Sequence, residues 1–160
     1  MLYKNNFAVL GMPVYLTVAV ITASAVFAIF VYSILNVTEE SQTDIVKKQI
    51  EKIITDAENM FEYAESGSKI KIEVDFPHSM NFAIFGKMAE SIYEPTNLEL
   101  NESISNNYYF VMQNREVCSY SSNARFCGKE TDEIAILHHG EYPVFLELVY
   151  SGGKTYVKIY

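Results

Sequence analysis

NNFAVLGMPVYLTVAVITASAVFAIFVYSILNV, Asn5 to Val37, contains no charged residue, and the meaning of this run decides how the rest of the chain folds. A secretory signal has an apolar stretch of about 7 to 15 residues and a small-residue cleavage site. This run is more than twice that. At about 1.5 Å per residue, its roughly 33 residues reach about 50 Å as a helix, against a hydrocarbon core of about 30 Å. One bilayer does not need all of it, so the run reads as a membrane helix with a second use.

The helical pattern has no reason to stop at Val37. TEESQTDIVKKQIEKIITDAENMFEYAE, Thr38 to Glu65, has neither Gly nor Pro, and its apolar residues Val46, Ile50, Ile53, Ala57, Met60 or Phe61, and Ala64 recur every three or four positions. That spacing is the stripe of an amphipathic helix, with Lys47, Glu51, Lys48 and Lys52 on the solvated side. Thr38 could cap a separate helix, but nothing between Pro13 and Glu65 forces a break. The spacing therefore predicts one helix over 12–65, apolar all round over 12–37 and one-sided over 38–65, with Gly67 placed for a left-handed cap.

A one-sided helix needs a surface to cover. KIKIEVDF, Lys69 to Phe76, alternates apolar and polar residues as a half-buried strand does, and Pro77 closes it. NFAIFG, YYFVMQN, VFLELVY and TYVKIY come next, the last two joined by Ser151-Gly152-Gly153-Lys154, a hairpin signal. In that hairpin Val144, Leu146, Leu148 and Tyr150 can share a core face with Val157 and Ile159. Five to seven strands are expected in a β-rich head over 69–160, giving an α+β fold in which the long helix packs on an antiparallel sheet or small sandwich. KMAESIYEPTNLELNESISNN, Lys87 to Asn107, reads either as a short helix or as a loop excursion.

Charge orients the chain. Of 12 basic residues only Lys4 precedes the run, whereas all 20 acidic residues lie after it. The positive-inside rule then puts the N-terminus in the cytoplasm and exports the head. A net charge of −8 argues against nucleic acid as a partner. Cys118 and Cys127 are the only cysteines and flank the polar loop SYSSNARF; in an exported domain a local disulfide is the natural reading, with two unpaired thiols as the alternative. Asn36-Val37-Thr38 and Asn101-Glu102-Ser103 are glycosylation sequons, which makes Asn36 and Asn101 candidate acceptors.

The sequence carries no phosphate-binding loop, dinucleotide glycine pattern, zinc-protease motif or nucleophile elbow, so no enzyme, catalytic residue or cofactor is expected. His138-His139-Gly140-Glu141 is the most suggestive cluster. Neighbouring strand residues point to opposite faces, however, so these histidines read as a turn and no metal site is assigned. Glu130, Asp132 and Glu133 lack the regular oxygen ladder of a calcium loop. Twelve tyrosines suit either a surface that becomes buried against neighbours or an ordinary aromatic β-domain.

This layout resembles the type IV pilin-like proteins, archaeal pilins in particular: a short basic leader, a peptidase site near a glycine, a helix apolar then amphipathic, and a β-rich head with a local disulfide. The resemblance implies a leader over 1–11, MLYKNNFAVLG, with processing between Gly11 and Met12 by a prepilin-type peptidase and Pro13 in the first helical turn. In bacterial pilins a glutamate follows five residues into the mature helix; here Leu16 stands there, as suits the archaeal filaments. The resemblance further implies that Val14, Leu16, Val18, Val20, Ile21, Val26, Ile29, Phe30 and Ile34 form a filament core. The helix would be solvated by lipid before assembly and by copies of itself after it, the pilus assembly machinery moving it from membrane to a surface filament used for adhesion. A single-pass anchored envelope-binding protein, stator-like or a minor pilin, is the competing expectation.

Overall fold

The computed structural model describes the backbone of residues 7–160 and the side chains of residues 14–34, 37 and 40–160. Its contacts divide the chain into two compact units, Met1–Ser41 and Gln42–Tyr160. Helix α1, Phe7–Tyr63, contributes to both, and it runs without interruption through Thr38. It begins five residues before the expected Met12, so the backbone is helical at Gly11 and Pro13; Lys4 and the rest of residues 1–6 lie outside the described residues.

The second unit contains eight strands: β1 Lys69–Phe76, β2 Met80–Phe85, β3 Asn107–Met112, β4 Val117–Ser121, β5 Phe126–Cys127, β6 Ala135–His138, β7 Gly140–Ser151 and β8 Lys154–Ile159. They form two four-stranded sheets, ordered β1-β7-β8-β5 and β4-β3-β2-β6, antiparallel throughout except that β5 runs parallel to β8. The α+β expectation holds: the unit is a sandwich-like head with one helix face in its core.

That core is built as the stripe requires. Val46, Ile50, Ile53, Ile54, Ala57 and Met60 of α1 are buried with Ile72, Val74 and Phe76 of β1, Val144, Leu146 and Leu148 of β7, and Val157 and Ile159 of β8. The other sheet contributes Ala83, Phe85, Tyr108, Phe110, Met112, Ala135 and Leu137 to the same cluster. Along its inner face Phe85 stacks on Tyr108, Tyr108 on Tyr120 and Phe110 on Tyr120. At about 1.5–3 kcal/mol for each large apolar side chain removed from water, this shared cluster is the main force holding the helix segment to the sheets.

Strands β2 and β3 of the second sheet are buried on both faces, whereas its edge strand β4 is largely exposed. Phe82, Ile84, Tyr109, Val111 and Ile134 form a separate cluster with Ile92 and Leu100, so the segment between β2 and β3 is a loop that lids the outer face, its only helical piece the 3-10 turn Glu102–Ile104. This is why NFAIF and YYFVM read as continuous apolar runs rather than alternating ones. Gly86, at φ +95°, lets the chain leave β2 here: a Cβ would stand 2.7 Å from Leu100 Cδ1 and 3.1 Å from the Phe126 carbonyl oxygen.

Turn chemistry fixes the remaining register. Gly67 takes φ +90° after the helix and donates its N–H to the Leu148 carbonyl at 2.7 Å, which ties the helix end to β7. Gly152 and Gly153 both have positive φ, as a two-residue hairpin loop between β7 and β8 demands. Two expectations need correction. Tyr150 does not share the core face: it is 67% exposed, on the last rungs before this turn and beyond the cluster that covers Leu148. Cys118 and Cys127 do not form a disulfide: both are free thiols, Cys118 opposite Phe110 on the edge strand β4 and Cys127 on β5 of the other sheet.

Candidate functional site: the apolar half of the long helix

Within the first unit, Val14–Ile34 is a span of 21 residues with mean hydropathy 2.4 and none of it buried. At about 1.5 Å per residue it covers about 31 Å, one hydrocarbon thickness. The nine residues expected to form a filament core, Val14, Leu16, Val18, Val20, Ile21, Val26, Ile29, Phe30 and Ile34, all lie in it and are all 51–68% exposed. Phe27 and Tyr32, not singled out from the sequence, are equally exposed. By length and composition this helix could anchor in a membrane.

Three hydroxyls of the span are bonded to the helix's own backbone. Thr22 donates to the Val18 carbonyl, Ser24 to Val20 and Ser33 to Ile29, each four residues back and within 2.9 Å. A hydroxyl bonded this way presents no unsatisfied donor to hydrocarbon. Ala19, Thr22, Ala23 and Val26 with Phe27 and Phe30 line a shallow apolar groove, small residues between aromatic walls, against which another helix can approach closely.

The other candidate residues are dispersed. Gly11, Met12 and Asn36 have helical backbone. Asn101 is exposed and caps the 3-10 turn, its Oδ1 accepting from the Ser103 N–H at 3.1 Å. The neighbouring Glu102 pairs with Lys154, which holds its carboxyl below the usual range.

Burial pushes the Cys127 thiol up to about 11, and desolvation also raises Cys118, whose Sγ lies 3.7 Å from Glu116 Oε1. Neither is an activated nucleophile. Among the described residues no three His, Cys, Asp or Glu groups converge as a metal site. His138 ends β6, its Nε2 3.9 Å from Glu94, while His139 turns into the next corner.

The tyrosines divide as well: Tyr108, Tyr109 and Tyr156 are buried, whereas Tyr63, Tyr93 and Tyr150 stand in solvent. Comparison with protein-family models, with curated proteins and with solved structures returned no significant match to this chain.

Proposed function

We propose that this chain is the structural subunit of a type IV pilus-like surface filament of the archaeal kind, polymerising through the apolar half of α1 with the β-rich head outside. The observation that carries this reading is a wholly exposed 21-residue apolar span on the same helix whose later turns contribute to the core of the head. A precursor of this design sits in the membrane as a single-span protein. After cleavage between Gly11 and Met12 by a prepilin-type peptidase, the span exchanges lipid for copies of itself. Repetition of one heterologous contact then builds an open helical polymer, and the head presents exposed tyrosines and an acidic surface for adhesion. No catalysis enters this scheme.

The test is to express the full chain with its native membrane machinery, shear the cell surface and view the sheared fraction by electron microscopy. Long fibres containing the chain are expected. Confinement of the chain to small, detergent-soluble oligomers with an intact Met1 would refute the filament reading. That second result would select a permanently anchored envelope-binding domain, a reading favoured by the helical backbone running unbroken across Gly11.

A further inference from the structure

All three histidines of the chain lie at one corner of the head, where the turn after β1 meets the corner between β6 and β7. Register brings two of them together. Phe76 and Gly140 are the last paired residues of β1 and β7, and just past that pair the ring of His78 meets the ring of His139. Their rings are 5.0 Å apart between centroids at an interplanar angle of 61°.

The backbone on both sides is pinned. Gln113 donates its N–H to the Ser79 carbonyl at 2.8 Å and its Nε2 to the His78 carbonyl at 2.6 Å, and Met80 N–H closes the turn onto Pro77. Opposite, the Tyr142 hydroxyl donates to the His138 carbonyl at 2.6 Å. The two histidines are thus held near each other by bonds that do not involve their rings.

From this geometry we infer that His78 and His139 form a two-imidazole site for a divalent transition-metal ion of the zinc type, with water in the remaining positions. With metal–nitrogen bonds of about 2.0–2.1 Å and a ring nitrogen about 1.2 Å from its own centroid, two imidazoles on one tetrahedral ion have centroids about 5.2 Å apart. The observed separation already matches. Both rings are exposed, so turning a nitrogen of each toward a common point displaces no core side chain. The surroundings favour a cation: Asp75 and Glu141 face each other one rung from the Phe76–Gly140 pair, and Glu94 lies beside His138. Imidazole suits zinc, copper and nickel over magnesium or calcium, which take oxygen ligands. The sequence concealed this pair because the tempting neighbours His138 and His139 are separated by the strand end, while the partner of His139 lies in a distant turn. The site is independent of the filament reading.

The experiment titrates Zn2+ into the tag-free full chain in detergent micelles, by calorimetry and by NMR of the imidazole nitrogens. One ion per chain is expected, with shifts at His78 and His139. Affinity should fall at least tenfold in His78→Ala and in His139→Ala, and stay within twofold of the parent in His138→Ala, with unchanged thermal midpoints in all three. Absence of binding, binding that survives the His78→Ala/His139→Ala double substitution, or equal loss in His138→Ala would overturn the assignment.

Discussion

Placing arginine in the apolar span tests whether Val14–Ile34 is a membrane segment in its own right. The span contains eleven Val, Leu, Ile and Phe residues. At about 0.3–0.6 kcal/mol each for central positions, they favour insertion by roughly 3–7 kcal/mol, an upper value because residues toward the ends count for less. One central arginine costs about 2.5–3.5 kcal/mol and Val26→Arg also removes one favourable residue, so the single variant loses about 3–4 kcal/mol. Ala23→Arg together with Val26→Arg loses about 5–8 kcal/mol, comparable to the whole of the favourable total. Both side chains are exposed and neither belongs to an apolar core of the head. Carbonate extraction of membranes should therefore retain the parent, retain less of Val26→Arg, and release the double variant. Full release of the parent, or full retention of the double variant, would refute the claim that this span inserts on its own apolar content.

Further perturbations address the head. Ile53 is fully buried in the helix stripe, and Ile53→Ala should lower stability by about 2–5 kcal/mol in thermal or denaturant unfolding of the micelle-bound chain; a loss under about 1 kcal/mol would mean the helix does not form the core. Glu58 Oε1 accepts from Ser122 Oγ at 2.7 Å and from Asn123 N–H at 3.0 Å, so Glu58→Ala should cost about 1–3 kcal/mol and Glu58→Gln, which keeps an acceptor, less. Thiol titration of the unfolded chain without reductant should count both cysteines, Cys118 reacting before Cys127 in the folded protein; a count of zero contradicts the free-thiol structure. Because burial raises the folded Cys127 thiol from 9.0 to about 11, its protonated form stabilises the fold fully below pH 9. That contribution, on the order of 3 kcal/mol, is lost as pH rises from 9 to 11, read as a stability difference between parent and Cys127→Ala that changes across this window.

Local pattern carried most of the fold. The three- and four-residue spacing of Val46 through Met60 identified the buried helix face, and alternation in Lys69–Phe76 identified β1, because each element is wet on one side. Where both faces are buried, alternation vanishes: β2 and β3 were legible as strands, but not the lid over their outer face, whose residues Ile92 and Leu100 are scattered in a polar segment. The expected disulfide is not formed either. Closeness of Cys118 and Cys127 in sequence says nothing about the sheet switch between β4 and β5. The apolar span was legible by composition alone, while the meeting of His78 with His139 depends on the β1–β7 register and could not be read from either motif.

The most direct test of the central claim is photo-crosslinking from a benzophenone side chain at Phe27, on the groove of the apolar span, in the fraction sheared from the cell surface. If the span is solvated by copies of itself, the products are a ladder in multiples of the chain mass, disappearing when the sheared fibres are dissolved in detergent before illumination. If illumination yields only monomer and lipid adducts, and all of the protein stays with the membrane, Val14–Ile34 is a permanent anchor and the filament reading is wrong.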